Sequence, residues 1–339
     1  MSLSLVLWCR REIEGSAPSA PLSMRVLVCL IALGSPALVV AQSAVPRPRI
    51  GLLTWGACEM PDLIAGLRDL GRIPGKNITI ECRSAGKQYE GLATATAELV
   101  RLPVDVIVSE SQPAGHMARS ITKTVPIVTI LSGDPVGSGL VQSLSKPGGN
   151  LTGLTYYATE LTAKRLELLQ EVVAGISSVG VLANPVVSYL PFEEDTKQAA
   201  QALGLALVVR QVREPGELGE AIHQMKAEGA QAVFVLPDLM FAHEAKRIAD
   251  LAVAERLPLM AWGGWFTEAG GLIAYSADYA TLVRRLAVYV DKILKGAQPG
   301  NLPVEQPDRF ELSVNLRTAR TLGLTIPPEF LARADKVVE

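Results

Sequence analysis

From Arg49 onward, short runs of β-branched and aliphatic residues alternate with amphipathic helical stretches. Residues 50–54, 77–82, 104–109 and 127–131 read as strands, with helices over 62–70, 89–102 and 114–122 between them. A tight hairpin does not join strands separated by a helix, so this rhythm predicts a parallel sheet with helices on both faces. It stops at Gly133-Asp134-Pro135 and the loop Lys146-Pro147-Gly148-Gly149-Asn150, and an extended crossing segment follows over 151–157. It then resumes, with strands at 179–183, 205–209, 232–236 and 259–262 and helices at 192–203, 218–228 and 241–256. Two arrays in tandem predict an α/β fold of two Rossmann-like lobes.

The tail adds extended segments at 272–276 and 310–315 and an amphipathic helix over 281–294, ended by Gly296 and Pro299. A leftover helix and strand are most simply returned one to each lobe. That gives three crossings, near Tyr156, Tyr275 and Pro303, and hence a three-segment hinge. The expected lobes are 46–155 plus 276–302 and 156–275 plus 303–339.

The start of the chain reads as an address. Arg25 follows Met24, residues 26–33 are unbroken apolar, and Val39-Val40-Ala41 offers small residues for a signal peptidase. Arg10, Arg11, Glu12, Glu14, Pro18 and Pro21 are foreign to such a signal, so Met24 is the expected initiator and 1–41 the expected leader. A start at Met1 would instead make a signal anchor. Gly34 and Pro36 interrupt the run before the roughly 20 apolar residues a membrane helix needs, which favours cleavage near Ala41 and a periplasmic product. Cys29 is a poor lipidation site, because Val28 stands where a small residue is expected.

Composition narrows the partners. With 339 residues, 49% hydrophobic and 19% charged, the chain is long enough for two cores, and its net charge of -2 carries no basic block for nucleic acid. Beyond the leader only Cys58 and Cys82 remain, neither with a second Cys or a His at metal-ligand spacing. No metal or cofactor is expected. In an oxidising compartment the two can pair. Cys58 falls in the first βα loop and Cys82 near the end of the second strand, and adjacent parallel strands bring these ends together. A disulfide closing a loop of about 25 residues stabilises by about 3 kcal/mol.

Open parallel sheets bind ligands beyond the carboxyl ends of their strands. The loops in question are Thr54-Trp55-Gly56, Ser109-Glu110-Ser111-Gln112 and Ser132-Gly133-Asp134 in the first array. In the second they are Asn184-Pro185, Pro237-Asp238 and 262–265. Ser109, Ser111 and Gln112 precede or open a helix, whose free N–H groups suit a carboxylate. Asp134 and Asp238 are acceptors for an ammonium. Trp55, Trp262, Trp265, Tyr156 and Tyr275 suit an apolar or aromatic body. Serine and aspartate at these places are also ordinary helix caps.

Signals for catalysis are poor. His116, His223 and His243 all fall in predicted helices with no partner motif. The glycines of Gly51-Leu52-Leu53-Thr54-Trp55-Gly56 have P-loop spacing, but Ala57-Cys58 replaces the Lys and Ser/Thr that would hold phosphate and magnesium. Glu193-Glu194-Asp195 opens a helix, where acidic residues favour the dipole.

Several segments resemble one family. They are Asp105-Val106-Ile107-Val108, Gly133-Asp134-Pro135-Val136 with Gly139-Leu140-Val141, and 146–153. Further on come 164–169, Gly270-Gly271-Leu272, 289–296, 302–307 and 331–335. The likeness is to ABC-transporter substrate-binding proteins, in the family with tryptophan- and tyrosine-binding members. It implies a type I periplasmic binding fold, a closing cleft, no catalysis, and delivery of a small solute by a monomeric receptor to an inner-membrane permease. The aromatic loops point to a carboxylate with an aromatic or bulky apolar body. A branched-chain amino acid or a sugar, and a role as an exported sensing subunit, are the alternatives. A repressor effector domain would need a DNA-binding head where the signal stands. A racemase would need cysteines facing each other from both lobes.

Overall fold

The computed structural model describes residues 47–132, 134–156, 160–187 and 192–339. The leader 1–41, its cleavage point and Met24 lie outside the described residues. No described helix is long and apolar enough to cross a membrane.

The first array runs β1 (Arg49–Thr54), α1 (Pro61–Asp69), β2 (Thr79–Ser84), α2 (Gly91–Arg101), β3 (Val106–Ser109), α3 (Gln112–Ile121), β4 (Ile127–Leu131) and β5 (Leu151–Thr155). Its five strands form one sheet in the order β2-β1-β3-β4-β5, every pair parallel. All residues of β3, β4 and β5 are buried, as they must be in a sheet covered on both faces.

The second array runs α4 (Glu160–Val172), β6 (Ser178–Ala183), α5 (Phe192–Ala202), β7 (Ala206–Gln211), α6 (Leu218–Ala227), β8 (Val233–Val235), α7 (Leu239–His243), α8 (Ala245–Ala254), β9 (Leu259–Ala261), α9 (Trp265–Glu268) and β10 (Ile273–Ala277). The tail supplies α10 (Tyr279–Leu294), β11 (Phe310–Asn315), α11 (Leu316–Leu322), α12 (Pro328–Leu331) and β12 (Lys336–Val338). The second sheet is ordered β12-β11-β10-β9-β8-β6-β7. Its pairs are parallel except β10 with β11, which is antiparallel because the chain re-enters the sheet at its edge from the opposite direction. The single helix expected over 241–256 is two. Asp238 caps α7 by accepting from the Phe241 N–H, and Glu244 breaks the helix at φ −95° and ψ 12°.

Helix α10 returns to the first sheet and lies along α1. The contact depends on Gly66, where a Cβ would come within 2.4 Å of the Arg284 carbonyl oxygen. Arg72 reaches Asp291 at 2.9 Å, and Lys295 meets the other oxygen of that carboxylate at 2.7 Å. The chain leaving α10 runs beside β5, where the Thr155 N–H donates to the Glu305 carbonyl at 2.8 Å and the Tyr289 hydroxyl to that of Pro303 at 2.7 Å. At the other edge of the sheet, Cys58 and Cys82 are joined by a disulfide, with Cα atoms 5.8 Å apart.

Gly66→Ala is expected to wedge α1 from α10 and lower the unfolding free energy by about 1–3 kcal/mol, read as a urea midpoint shift at constant slope. Burial alone would raise the Asp291 carboxyl, but hydrogen bonds from Lys295 and Arg72 outweigh it and hold the pKa below the ordinary value. Stability from this group is therefore present above the unfolded pKa and lost as pH falls through the folded one. Asp291→Asn is expected to cost about 1–2 kcal/mol at pH 7, and urea melts at stepped pH should show the difference fading below about pH 4.

Candidate functional site

Strand order reverses at two places. In the first sheet the chain steps outward from β1 to β2 and then back to β3, and in the second from β6 to β7 and back to β8. At such reversals the loops leaving the carboxyl ends diverge and leave a crevice. Loops after β2, β3, β4, β6, β8 and β9 meet around a cavity of about 290 Å3. At about 30 Å3 per water that is room for roughly ten waters, the size of one small solute.

One end of the cavity is the start of α3. Ser111 caps the helix, its hydroxyl accepting from the Ala114 N–H at 3.4 Å. Gln112 Oε1 accepts from the Ser132 N–H at 2.7 Å, while its Nε2 is buried with no acceptor among the described residues. The walls are aromatic. Trp262 and Trp265 stand perpendicular with ring centroids 5.0 Å apart, and Tyr156 lies edge-on to both Trp262 and Tyr279 at 5.5 Å. The indole N–H groups of Trp262 and Trp265 are also buried without an acceptor among the described residues.

Contacts join the two sheets' loops across the cavity. The Tyr89 hydroxyl donates to Asp238 Oδ2, and the Tyr156 hydroxyl to the Trp262 carbonyl. Trp55 meets Tyr89 with ring centroids 4.5 Å apart and planes tilted by 58°, and approaches the His243 ring at 6.5 Å. Burial raises the Asp238 carboxyl above its ordinary range, opposed by hydrogen bonds from Tyr89, Phe241, Asn184 and Met240. Burial raises Glu110 likewise, opposed by the Trp55 N–H and by the charge of His243. The Tyr279 hydroxyl is pushed far up by burial, with Glu110 and Tyr156 adding to it, and donates to the Glu110 carbonyl at 2.6 Å.

Of the residues selected from the sequence, Ser111, Gln112, Tyr156, Asp238, Trp262 and Trp265 line this cavity. Trp55 and Gly56 lie just behind it, Trp55 against Tyr89 and Gly56 against His243. Asn184 stands one residue back, its amide donating to Asp238 Oδ2 at 3.0 Å. Four others lie elsewhere. Thr54 is fully buried and donates to the Gly56 carbonyl. Ser109 pairs with Thr129 across the β3–β4 ladder, and its hydroxyl donates there at 2.7 Å. Asp134 is exposed and accepts from the Val136 N–H, closing its own turn. Tyr275 sits mid-strand opposite Leu312, its ring 5.9 Å from Phe310.

Tyr89, Glu110, Val187, Leu239, Ala242, His243 and Tyr279 also line the cavity. Glu110 was within reach of the sequence, since it lies in the loop already selected. His243 and Tyr279 were not, because helical periodicity says nothing about which helix end faces a cleft. Among the described residues no group of three His, Cys, Asp or Glu could hold a metal ion.

Strands of this topology and a crevice between two reversals define a type I periplasmic binding fold. The chain belongs to the family described as ABC transporter substrate binding protein, whose model matches residues 60–338. It is similar to a tyrosine-binding protein of Clostridioides difficile (strain R20291), 26% identical over 262 residues, 77% of this chain and 75% of that one. Among solved structures it resembles a conserved domain protein of Vibrio cholerae, 27% identical with a TM-score of 0.79, over 86% of this chain and 99% of that one. A domain from Streptococcus pneumonia in complex with L-Trp is 24% identical with a TM-score of 0.78, over 86% of this chain and 100% of that one.

Tyr89→Phe removes the donor from Asp238 while keeping the ring. It is expected to cost about 1–3 kcal/mol in thermal or urea unfolding.

Proposed function

We propose that this chain is the exported solute receptor of an ABC importer and carries out no catalysis. Its ligand is a small carboxylate with an aromatic or bulky apolar body, held in the cavity between the two sheets. The observation that carries this reading is the pairing of the α3 N-terminus, with the unpartnered Gln112 Nε2 donor beside it, and a wall of Trp and Tyr rings within one small cavity. The names of relatives that bind tyrosine or hold L-Trp point the same way. Export rests on the leader pattern, and the disulfide suits an oxidising compartment. The partner is then an inner-membrane permease, and the receptor acts as a monomer.

In this reading the lobes are 46–155 plus 276–302 and 156–275 plus 303–339, hinged where the chain passes between sheets. Ligand touching both lobes binds the closed form better than the open one and so shifts the population toward closed. The Tyr89–Asp238 and Tyr156–Trp262 contacts belong to that closed form.

Calorimetry against aromatic amino acids, aromatic acids, sugars and polyamines tests this. An aromatic carboxylate should bind with a Kd on the order of 1 μM or tighter and a negative heat-capacity change, and Trp265→Ala should weaken it by roughly tenfold or more. Binding of sugars or polyamines alone would overturn the reading.

A further inference from the structure

Two carboxyl groups line the cavity, those of Glu110 and Asp238. Asp238 is the one the sequence suggests for a ligand ammonium, yet its oxygens are occupied. Oδ1 accepts from the Phe241 N–H, and Oδ2 from both the Tyr89 hydroxyl and the Asn184 amide. Three donors thus hold both oxygens and take most of the roughly four lone-pair sites that a carboxylate offers.

Glu110 is placed differently. Its Oε1 accepts from the Trp55 N–H at 2.6 Å, and its Oε2 has no hydrogen-bond partner among the described residues. Its backbone is pinned by the Tyr279 hydroxyl. No lysine or arginine is among the described residues that line the cavity, and His243 is the one base there. Immediately after Glu110 come Ser111 and Gln112, the N-terminus of α3, with the Gln112 Nε2 donor still unused. An α-amino acid carries its ammonium and carboxylate on one carbon, and so needs an acceptor and donors side by side. Residues 110–112 supply both within three positions, and the indoles of Trp262 and Trp265 stand in the same cavity for the side chain.

We propose that Glu110 recognises a ligand ammonium, so that the cavity selects aromatic α-amino acids over the matching deaminated acids, while Asp238 only joins the two sheets' loops. This rests on the function proposed above. The charge pair forms inside a cavity that the ligand fills, where such contacts discriminate strongly.

The test is calorimetric titration of the purified protein with L-tryptophan and with 3-(indol-3-yl)propionate, which lacks only the ammonium. The wild-type protein is expected to prefer L-tryptophan by about 100-fold, a figure typical of a lost buried charge partner. Glu110→Gln should cut that ratio below roughly tenfold, and Asp238→Asn should weaken both ligands alike. Melting curves establish that each variant is folded, and the wild-type comparison needs no variant. Equal wild-type affinity for the two indoles overturns the Glu110 assignment and leaves the aromatic-carboxylate reading intact. So does a preference that survives Glu110→Gln, or one lost only in Asp238→Asn. If the wild-type protein binds neither indole, the aromatic reading fails and the assignment falls with it.

Discussion

Parallel strands deliver every strand-to-helix loop to the same edge of a sheet, and the remaining architecture follows from that constraint. Each sheet reverses its strand order once in its interior, between β1 and β3 and between β6 and β8. The reversals open crevices at the carboxyl edges. With those two edges facing each other, one cavity collects short loops from strands far apart in sequence. Neither sheet alone encloses it. Tyr89 and Glu110 come from the first, and Asp238, Trp262 and Trp265 from the second.

The chain's return to the first sheet makes this arrangement single-valued. Helix α10 fits against α1 only because Gly66 has no side chain, and the Arg72–Asp291–Lys295 cluster then fixes its far end. At its near end α10 carries Tyr279 to the cavity wall, where the hydroxyl holds the Glu110 backbone. The helix that completes the scaffold therefore also sets the position of a cavity residue. Loop 303–305 is bonded to β5 at Gly153 and Thr155, next to Tyr156.

Buried acids give the cavity its chemistry. Burial raises both Glu110 and Asp238, and the difference between them lies in their partners. Asp238 is surrounded by donors from its own helix, from Asn184 and from Tyr89 in the other sheet, so its charge is spent on structure. Glu110 faces a cavity whose described lining holds no lysine or arginine and keeps one oxygen unengaged. Aromatic rings at right angles supply the rest of the wall, an arrangement their quadrupoles favour over face-to-face stacking.

The alternation of strand and helix, and therefore the α/β class, was legible in the residues alone because local periodicity reports which face of each element is buried. Ser111, Gln112, Asp238, Trp262 and Trp265 were legible for a related reason, since position after a strand is a local property and loops there face the crevice. Thr54 and Ser109 still miss the cavity, because the last residue of a strand points to one face or the other by strand alternation, while Asp134 closes its own turn beyond β4 and Tyr275 lies in the middle of β10. Ser109 is turned toward Thr129 by the β3–β4 pairing, and Tyr275 toward Phe310 by the antiparallel pair with β11. Tyr89, His243 and Tyr279 carry no local mark at all. They reach the cavity through packing between elements as much as 169 residues apart, as the Tyr279–Glu110 bond is, and only the tertiary structure decides such distances.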